Sequence, residues 1–301
     1  EIQGKLQREQ ARIAELKQRM EANGTNDAAA DLISLRNEKN RWEQVIAEER
    51  AKIDRLRGVV GSVSFKYRDP HPGFDRSLVR GPVAELVSLT EEAAEEYGVA
   101  LEIAAGAKLH HVVVETDTVA KTLLDKPGVL TRRTTMIPLN RIQPRTLSAE
   151  KEAAAAALAP NRVRSALSLI GPSDASLEPA MKFVFGSTLI CDDEKAAALC
   201  AFDGRVCARA VTVAGDVYEP SGTLTGGSRP STQTSSLLEA MVRFRGAQEA
   251  LARAEAALAQ VRARLEAIEA AQDTAAQLAN DLQLAEAGAA MLARQFAQCA
   301  S

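Results

Sequence analysis

The stretch Gly222-Thr223-Leu224-Thr225-Gly226-Gly227-Ser228 is the part of this chain whose residue types and spacing most suggest chemistry. Its glycines are spaced as in a loop that presents bare backbone N–H groups to phosphates. Such a loop needs Lys followed by Ser or Thr, and Ser228-Arg229 stands there instead, so the residue that would reach the terminal phosphates is missing. A plain loop is the bland reading. The favoured one is a backbone left bare so that a strand or helix of another chain can come close. The other candidates are weaker. His110 and His111 are neighbours and cannot share one face of a strand, which argues against a metal or catalytic role for them and leaves His71 isolated. Asp192-Asp193-Glu194 suits a helix start, where carboxylates meet the positive end of the dipole. Cys191, Cys200, Cys207 and Cys299 make no CxxC pair and read as free thiols of a reducing compartment. No GxSxG or HExxH motif occurs, and no catalytic residue, cofactor or metal is expected.

Lys and Arg number 37 against 40 Asp and Glu, so no global basic field points to nucleic acid. Contact with DNA would need a local patch. Arg55, Arg57, Lys66, Arg68, Arg229, Arg243 and Arg245 are the candidates near the ends of the long helices described next. Arg132, Arg133, Arg141 and Arg145 lie farther inside. Phe65 and Tyr67 alternate with Lys66 and Arg68, a pattern that can offer stacking surfaces beside phosphate contacts; the plainer reading is solvated charge. No segment approaches the roughly 20 apolar residues of a membrane span. The opening EIQGKLQREQ lacks the apolar core of a signal peptide and begins in mid-heptad, so a piece of a longer rod is expected.

The elements that would position these residues follow from periodicity. Leu6, Ile13, Leu16 and Met20, then Leu32, Leu35, Trp42, Ile46, Ile53 and Leu56, recur at heptad steps, with a break at Asn23-Gly24-Thr25-Asn26-Asp27. Leu251, Leu258, Val261, Leu265 and Ile268 form a second seam, and Leu278, Leu282, Leu292 and Phe296 continue it after a phase slip. Both arms join one block, so an intramolecular antiparallel coiled coil is expected, with the block at its tip.

Inside the block one order of elements occurs twice. Ala100–Gly106 and Ala180–Gly186 each read as a helix closed by a glycine in the left-handed conformation. Val112-Val113-Val114 and Thr188-Leu189-Ile190-Cys191 follow as buried strands, then acidic residues opening a helix, then a further apolar stretch. The fold class is therefore α/β, with two pseudo-symmetric subdomains. The expected division is an arm over 1–57, subdomains over 58–147 and 169–230, a helical connection over 148–168 interrupted at Pro160-Asn161, and an arm over 231–301.

Several stretches now carry a resemblance. Phe65-Lys66-Tyr67-Arg68-Asp69-Pro70, Lys108 through Thr116, Arg132 through Ile142, Phe183 through Thr188 and Gly215 through Gly227 resemble the hinge domain of structural-maintenance-of-chromosomes (SMC) proteins, most specifically the condensin subunit of the "two" type. The resemblance implies a non-enzymatic hinge that pairs with the hinge of a "four"-type partner subunit. Gly222, Thr223, Leu224, Thr225, Gly226 and Gly227 would lie at that interface. It further implies a separate ATPase head, weak contact with single-stranded DNA near the coil junction, possible homodimers of the isolated hinge, no membrane association, and a place on chromosomes in the nucleus and in the cytoplasm. The rivals are an α/β enzyme whose coiled-coil arm positions a nucleic-acid substrate, and the metal-joined apex of a repair ATPase, which needs a CxxC pair.

Overall fold

The computed structural model describes residues 2–22, 28–227 and 236–300. Helices α1 (Ile2–Ala22) and α2 (Ala28–Gly61) precede β1 (Val79–Pro82), α3 (Val83–Leu86), β2 (Val87–Ser88) and α4 (Glu91–Ala105). Then come β3 (Val112–Val114), α5 (Asp117–Asp125), β4 (Met136–Pro138), α6 (Ala149–Leu158), β5 (Val163–Ser165) and β6 (Gly171–Pro172). The chain continues with α7 (Glu178–Phe185), β7 (Thr188–Cys191), α8 (Glu194–Phe202), β8 (Arg209–Thr212), β9 (Val217–Tyr218), β10 (Leu224–Thr225) and α9 (Leu237–Ala300). Two compact units result: 1–50 with 249–301, and 51–248.

The first unit is the antiparallel coil. Leu32 and Leu35 are buried with Val261 and Leu265, and Ile46 with Ala254 and Leu258. Ion pairs Lys17–Glu286, Arg36–Glu269 and Arg50–Glu255 flank the seam, their numbers running in opposite directions along the two strands of the coil. All six side chains are about half exposed, so these pairs fix register and add little stability. The break at Asn23–Asp27 lies outside the described residues.

In the second unit the repeat is physical. β3 runs parallel to β4 with α5 crossing between them, and β7 runs parallel to β8 with α8 crossing. A parallel pair needs such a crossover because its strands start at the same end. The sheets have the orders β1-β3-β4 and β10-β9-β8-β7-β5, and β2 pairs with β6 in a small third one. The acidic residues open both crossover helices: Thr116 caps α5 and Asp193 caps α8 through the backbone amide of Ala196.

Two local expectations are corrected. Gly106 has the positive φ that favours glycine, +54°, but with ψ −137° it is not in the left-handed helical conformation, and Gly186 has φ −64°. Gly186 is needed for space: a Cβ there would lie 2.5 Å from the Lys182 carbonyl oxygen and 2.9 Å from that of Arg145. The connection over 148–168 is not all helix. α6 ends at Leu158, and the chain then supplies β5, which pairs antiparallel with β7. Pro160 thus follows a helix end, where its missing N–H costs nothing. Helix α4 packs on α7, β7 and β8 of the second repeat. One apolar cluster consequently contains Leu101, Leu109, Val113 and Ile137 together with Leu177, Met181, Phe185, Ile190 and Val211. The two repeats share a core.

The start of α9 is locked to α4. Ser236 and Glu239 form a reciprocal capping box, the Ser236 hydroxyl accepting from the Glu239 amide at 3.0 Å and the Glu239 carboxylate from the Ser236 amide at 3.3 Å. The Glu102 carboxylate accepts from the Leu237 amide at 2.7 Å. Gly98 permits this approach, since a Cβ there would lie 2.5 Å from the Ser236 hydroxyl oxygen. Gly98→Val should therefore cost about 1–3 kcal/mol, read as a lower urea midpoint with the slope unchanged. Gly58→Val, where a Cβ would meet nothing within 4 Å, is the control.

Aspartates at turn and helix starts titrate low. Hydrogen bonds from Asn140 and Arg141 hold Asp117 down, and the Ser176 amide with Arg80 does so for Asp174. The Ala196 amide with Arg162 lowers Asp193, and Arg205 brings Asp203 down to about 2. Each folded value lies below that of the unfolded chain. Their stabilisation is thus complete above about pH 4 and is lost as pH falls through the folded values. Melting temperature should fall a little as pH passes below the ordinary histidine range, because burial holds His111 low, and should drop steeply below about pH 4, which a calorimetric pH series would show.

Candidate functional site

The glycine motif folds as the far arm of a hairpin. β10 pairs antiparallel with β9, Leu224 opposite Tyr218 and Thr225 opposite Val217. The turn closes through the Glu219 amide to the Thr223 carbonyl at 3.0 Å and the Gly222 amide to the Glu219 carbonyl at 2.9 Å, with Gly222 at φ +93°. β10 is the last strand of the five-stranded sheet, and among the described residues no strand covers its outer side. Gly222 through Gly227 are all exposed, and Leu224 leaves 62% of its surface open.

Two of the glycines answer to their own fold. A Cβ at Gly226 would sit 2.3 Å from an Asp216 carboxylate oxygen, and Gly227 has φ +138°. Gly222, Gly226 and Gly227 thus shape the hairpin, while Leu224 and the open strand edge are what it offers outward. The phosphate-loop reading does not fit this geometry, because Leu224-Thr225 continue into a strand. Ser228 and Arg229 lie outside the described residues.

An apolar ledge adjoins this edge. The Phe202 ring meets Tyr218 at 6.4 Å between centroids, and Leu199 lies one turn earlier on α8. Leu199 and Phe202 are 40% and 50% exposed. Sequence reading passed over both, because α8 looked like an ordinary crossover helix; two large apolar residues three apart on its outer face were the available signal.

The basic candidates separate into different roles. Lys66 and Arg68 are exposed, while Phe65 and Tyr67, between and before them, pack on the cluster of Val112, Val114 and Leu123. The alternation is thus that of an extended segment with one face inward. Arg55 is exposed, Arg57 pairs with Asp54 at 3.1 Å, and Arg243 pairs with Glu239 at 2.7 Å. Arg245 is half-buried and donates to the Val87 carbonyl oxygen at 2.7 Å, which makes it a packing residue. Arg141 is held by Asp117 at 3.1 Å.

His110 and His111 are not both in a strand. His110 ends a 3-10 turn and His111 precedes β3, so both reach one cleft, which Phe65, Arg132, Arg133, Thr134 and Thr135 also line. Cys191 and Cys200 are buried thiols and Cys207 an exposed one; Cys299 has no described side chain. Among the described residues no cluster of His, Cys, Asp or Glu could hold a metal, and no helix is long and apolar enough to cross a membrane.

Comparison with known proteins agrees with this architecture. The SMC proteins flexible hinge domain matches residues 76–200. "Structural maintenance of chromosomes protein 2" of Schizosaccharomyces pombe is 48% identical over 177 residues, which is 59% of this chain and 15% of that protein. The protein of the same name from Dictyostelium discoideum is 35% identical over 263 residues, 87% of this chain and 22% of that one. The chain therefore spans less than a quarter of the length of these relatives. A solved asymmetric dimer of the Geobacillus stearothermophilus SMC hinge domain superposes with a TM-score of 0.52 at 24% identity, covering 86% of this chain and 98% of that one. With paired parallel repeats, a shared core and these relatives in agreement, the chain carries the hinge domain of the structural-maintenance-of-chromosomes family.

Proposed function

We propose that this chain is the dimerisation module of a condensin SMC subunit of the "two" type, joining it to the hinge of the "four"-type subunit on chromosomes in the nucleus. The observation that carries the reading is the open edge of β10, an exposed strand bearing Leu224 at the rim of a five-stranded sheet. Unpaired edges pair with strands of other chains unless something blocks them, and β10 has neither Pro nor a charge to do so. The names of the relatives support the subunit assignment, and the dimeric form of the solved hinge supports pairing. The role is structural: the module binds and positions, and the ATPase chemistry of the family lies in the head.

DNA contact is the second part of the proposal, through Arg55, Lys66 and Arg68, which stand exposed, with Arg57, Arg243 and Arg229 as secondary contributors. Light scattering of the chain mixed with a "four"-type hinge tests the main claim. A mass equal to the sum of one copy of each is expected; two separate masses at micromolar concentration would refute it.

A further inference from the structure

The last turn of α4 holds two parts of the unit at once. Its carbonyl oxygens at Ala104 and Ile103 accept from the Arg209 guanidinium, from Nη1 at 3.0 Å and from Nη2 at 3.4 Å. Helix ends leave such carbonyls without intrahelical donors, and a cation is favoured beside them. The same guanidinium sets its Nε 2.9 Å from a Glu219 carboxylate oxygen. That contact is one of charge, since Nε is buried and makes no aligned hydrogen bond among the described residues. Glu219 closes the β9–β10 turn, its amide donating to Thr223 and its carbonyl accepting from Gly222. A second contact supports the β8–β9 turn. Gly215, at φ +104°, lies so near α4 that a Cβ would come within 2.6 Å of Ile103 Cδ1 and 3.3 Å of Val99 Cγ1. One position before Ile103, the Glu102 carboxylate holds the Leu237 amide at the start of α9. Glu102, Ile103 and Ala104 are consecutive, so one helical turn grips the start of α9 and both turns that carry β9 and β10.

We infer that this turn couples the start of α9 to the open edge of β10, with Arg209 as the positioning residue between them. The inference rests on the proposed pairing through β10 and adds what holds that edge in place. β10 pairs with β9 over two residues only, so the sheet itself anchors it weakly. Support from outside the sheet, through Glu219 and Gly215, then decides how firmly the edge is held. An edge already ordered binds a partner strand more tightly, because less freedom is lost on association. α4 is fixed in turn by Glu102 on Leu237 and by the close approach of Ser236 to Gly98. By linkage the influence runs both ways. A strand added to β10 steadies the start of α9 by the same factor as a docked α9 steadies β10.

Amide hydrogen exchange and sedimentation on the whole chain test it. Arg209→Gln should speed exchange of the Glu219 and Gly222 amides in the free chain about fivefold or more. It should weaken pairing with a "four"-type hinge by a similar factor, the lower end of the usual coupling between two sites. A residue that merely touched the partner would leave the free hairpin unchanged, and that result would overturn the inference. Glu219→Gln, a change on an exposed turn, should act alike and carries the test if Arg209→Gln lowers the melting temperature. The double variant should be no worse than either single change by more than about twofold; fully additive losses would mean that the two side chains act separately, which also overturns it. In the parent chain a saturating partner should slow exchange of the Leu237 amide, and Arg209→Gln should remove most of that slowing. Slowing that survives undiminished in the variant would break the proposed link. Should the parent chain not pair at all, the dimer reading falls by itself. Glu102→Ala would then decide the coupling in the free chain, where faster exchange of the Gly222 amide supports it and unchanged exchange refutes it.

Discussion

Leu224→Asp should lower affinity for the partner hinge at least about a hundredfold. A leucine buried on association contributes about 1.5–3 kcal/mol, and a carboxylate left at the seam adds a desolvation cost. Together these exceed the roughly 2.8 kcal/mol that a hundredfold represents. Leu224 is open to solvent in the single chain, so the same change should alter folding stability by only about 0.5 kcal/mol. That contrast makes it a sharper probe than changes at Gly226 or Gly227, where Asp216 and the backbone angle would disturb the hairpin itself. Equilibrium sedimentation over a dilution series reads the affinity and urea unfolding reads the stability. A variant that pairs as tightly as the parent would remove β10 from the interface.

Phe185→Ala should cost about 3–5 kcal/mol, a large part of the 5–15 kcal/mol typical of a domain. Phe185 is wholly buried in the cluster shared by both repeats. The loss should therefore appear in both sheets. Hydrogen exchange of β3 amides should accelerate as much as that of β7 amides, although Phe185 belongs only to the second repeat. Phe185→Leu, which keeps most of the volume, should cost less than about 1.5 kcal/mol. Acceleration confined to β7 would mean two independent cores.

These two residues also mark what sequence could and could not convey. The doubled order of helix, strand and crossover was legible because Val112-Val113-Val114 and Thr188–Cys191 are short apolar runs followed by acidic residues at a helix start, a local signal. The heptad seams were legible for the same reason: Leu32, Ile46 and Leu258 recur at fixed steps. β5 was missed because Val163-Arg164-Ser165 is three half-buried residues with one apolar side chain, too brief to show a period. The packing of α4 across both repeats was invisible, since it depends on which faces meet in space. Gly186 was noticed for the wrong reason, as a crowded position and a left-handed turn both select glycine.

The glycine motif and the basic residues show the same limit. Sequence marked Gly222 through Gly227 as a place without side chains but not why. The hairpin accounts for Gly226 through Asp216 and for Gly222 and Gly227 through positive φ. Arg245 looked like Arg55 in the sequence, yet it is spent on the Val87 carbonyl. Arg132 and Arg133, by contrast, come to one cleft with His110, His111 and Phe65 only through folding.

Amide hydrogen exchange of residues 223–226, measured alone and with a "four"-type hinge, addresses the central claim most directly. Addition of a strand to the open side of β10 should slow exchange there by at least about a hundredfold once the complex is saturated, while α5 amides stay as they were. A saturated complex in which these amides exchange as fast as in the free chain would contradict the account.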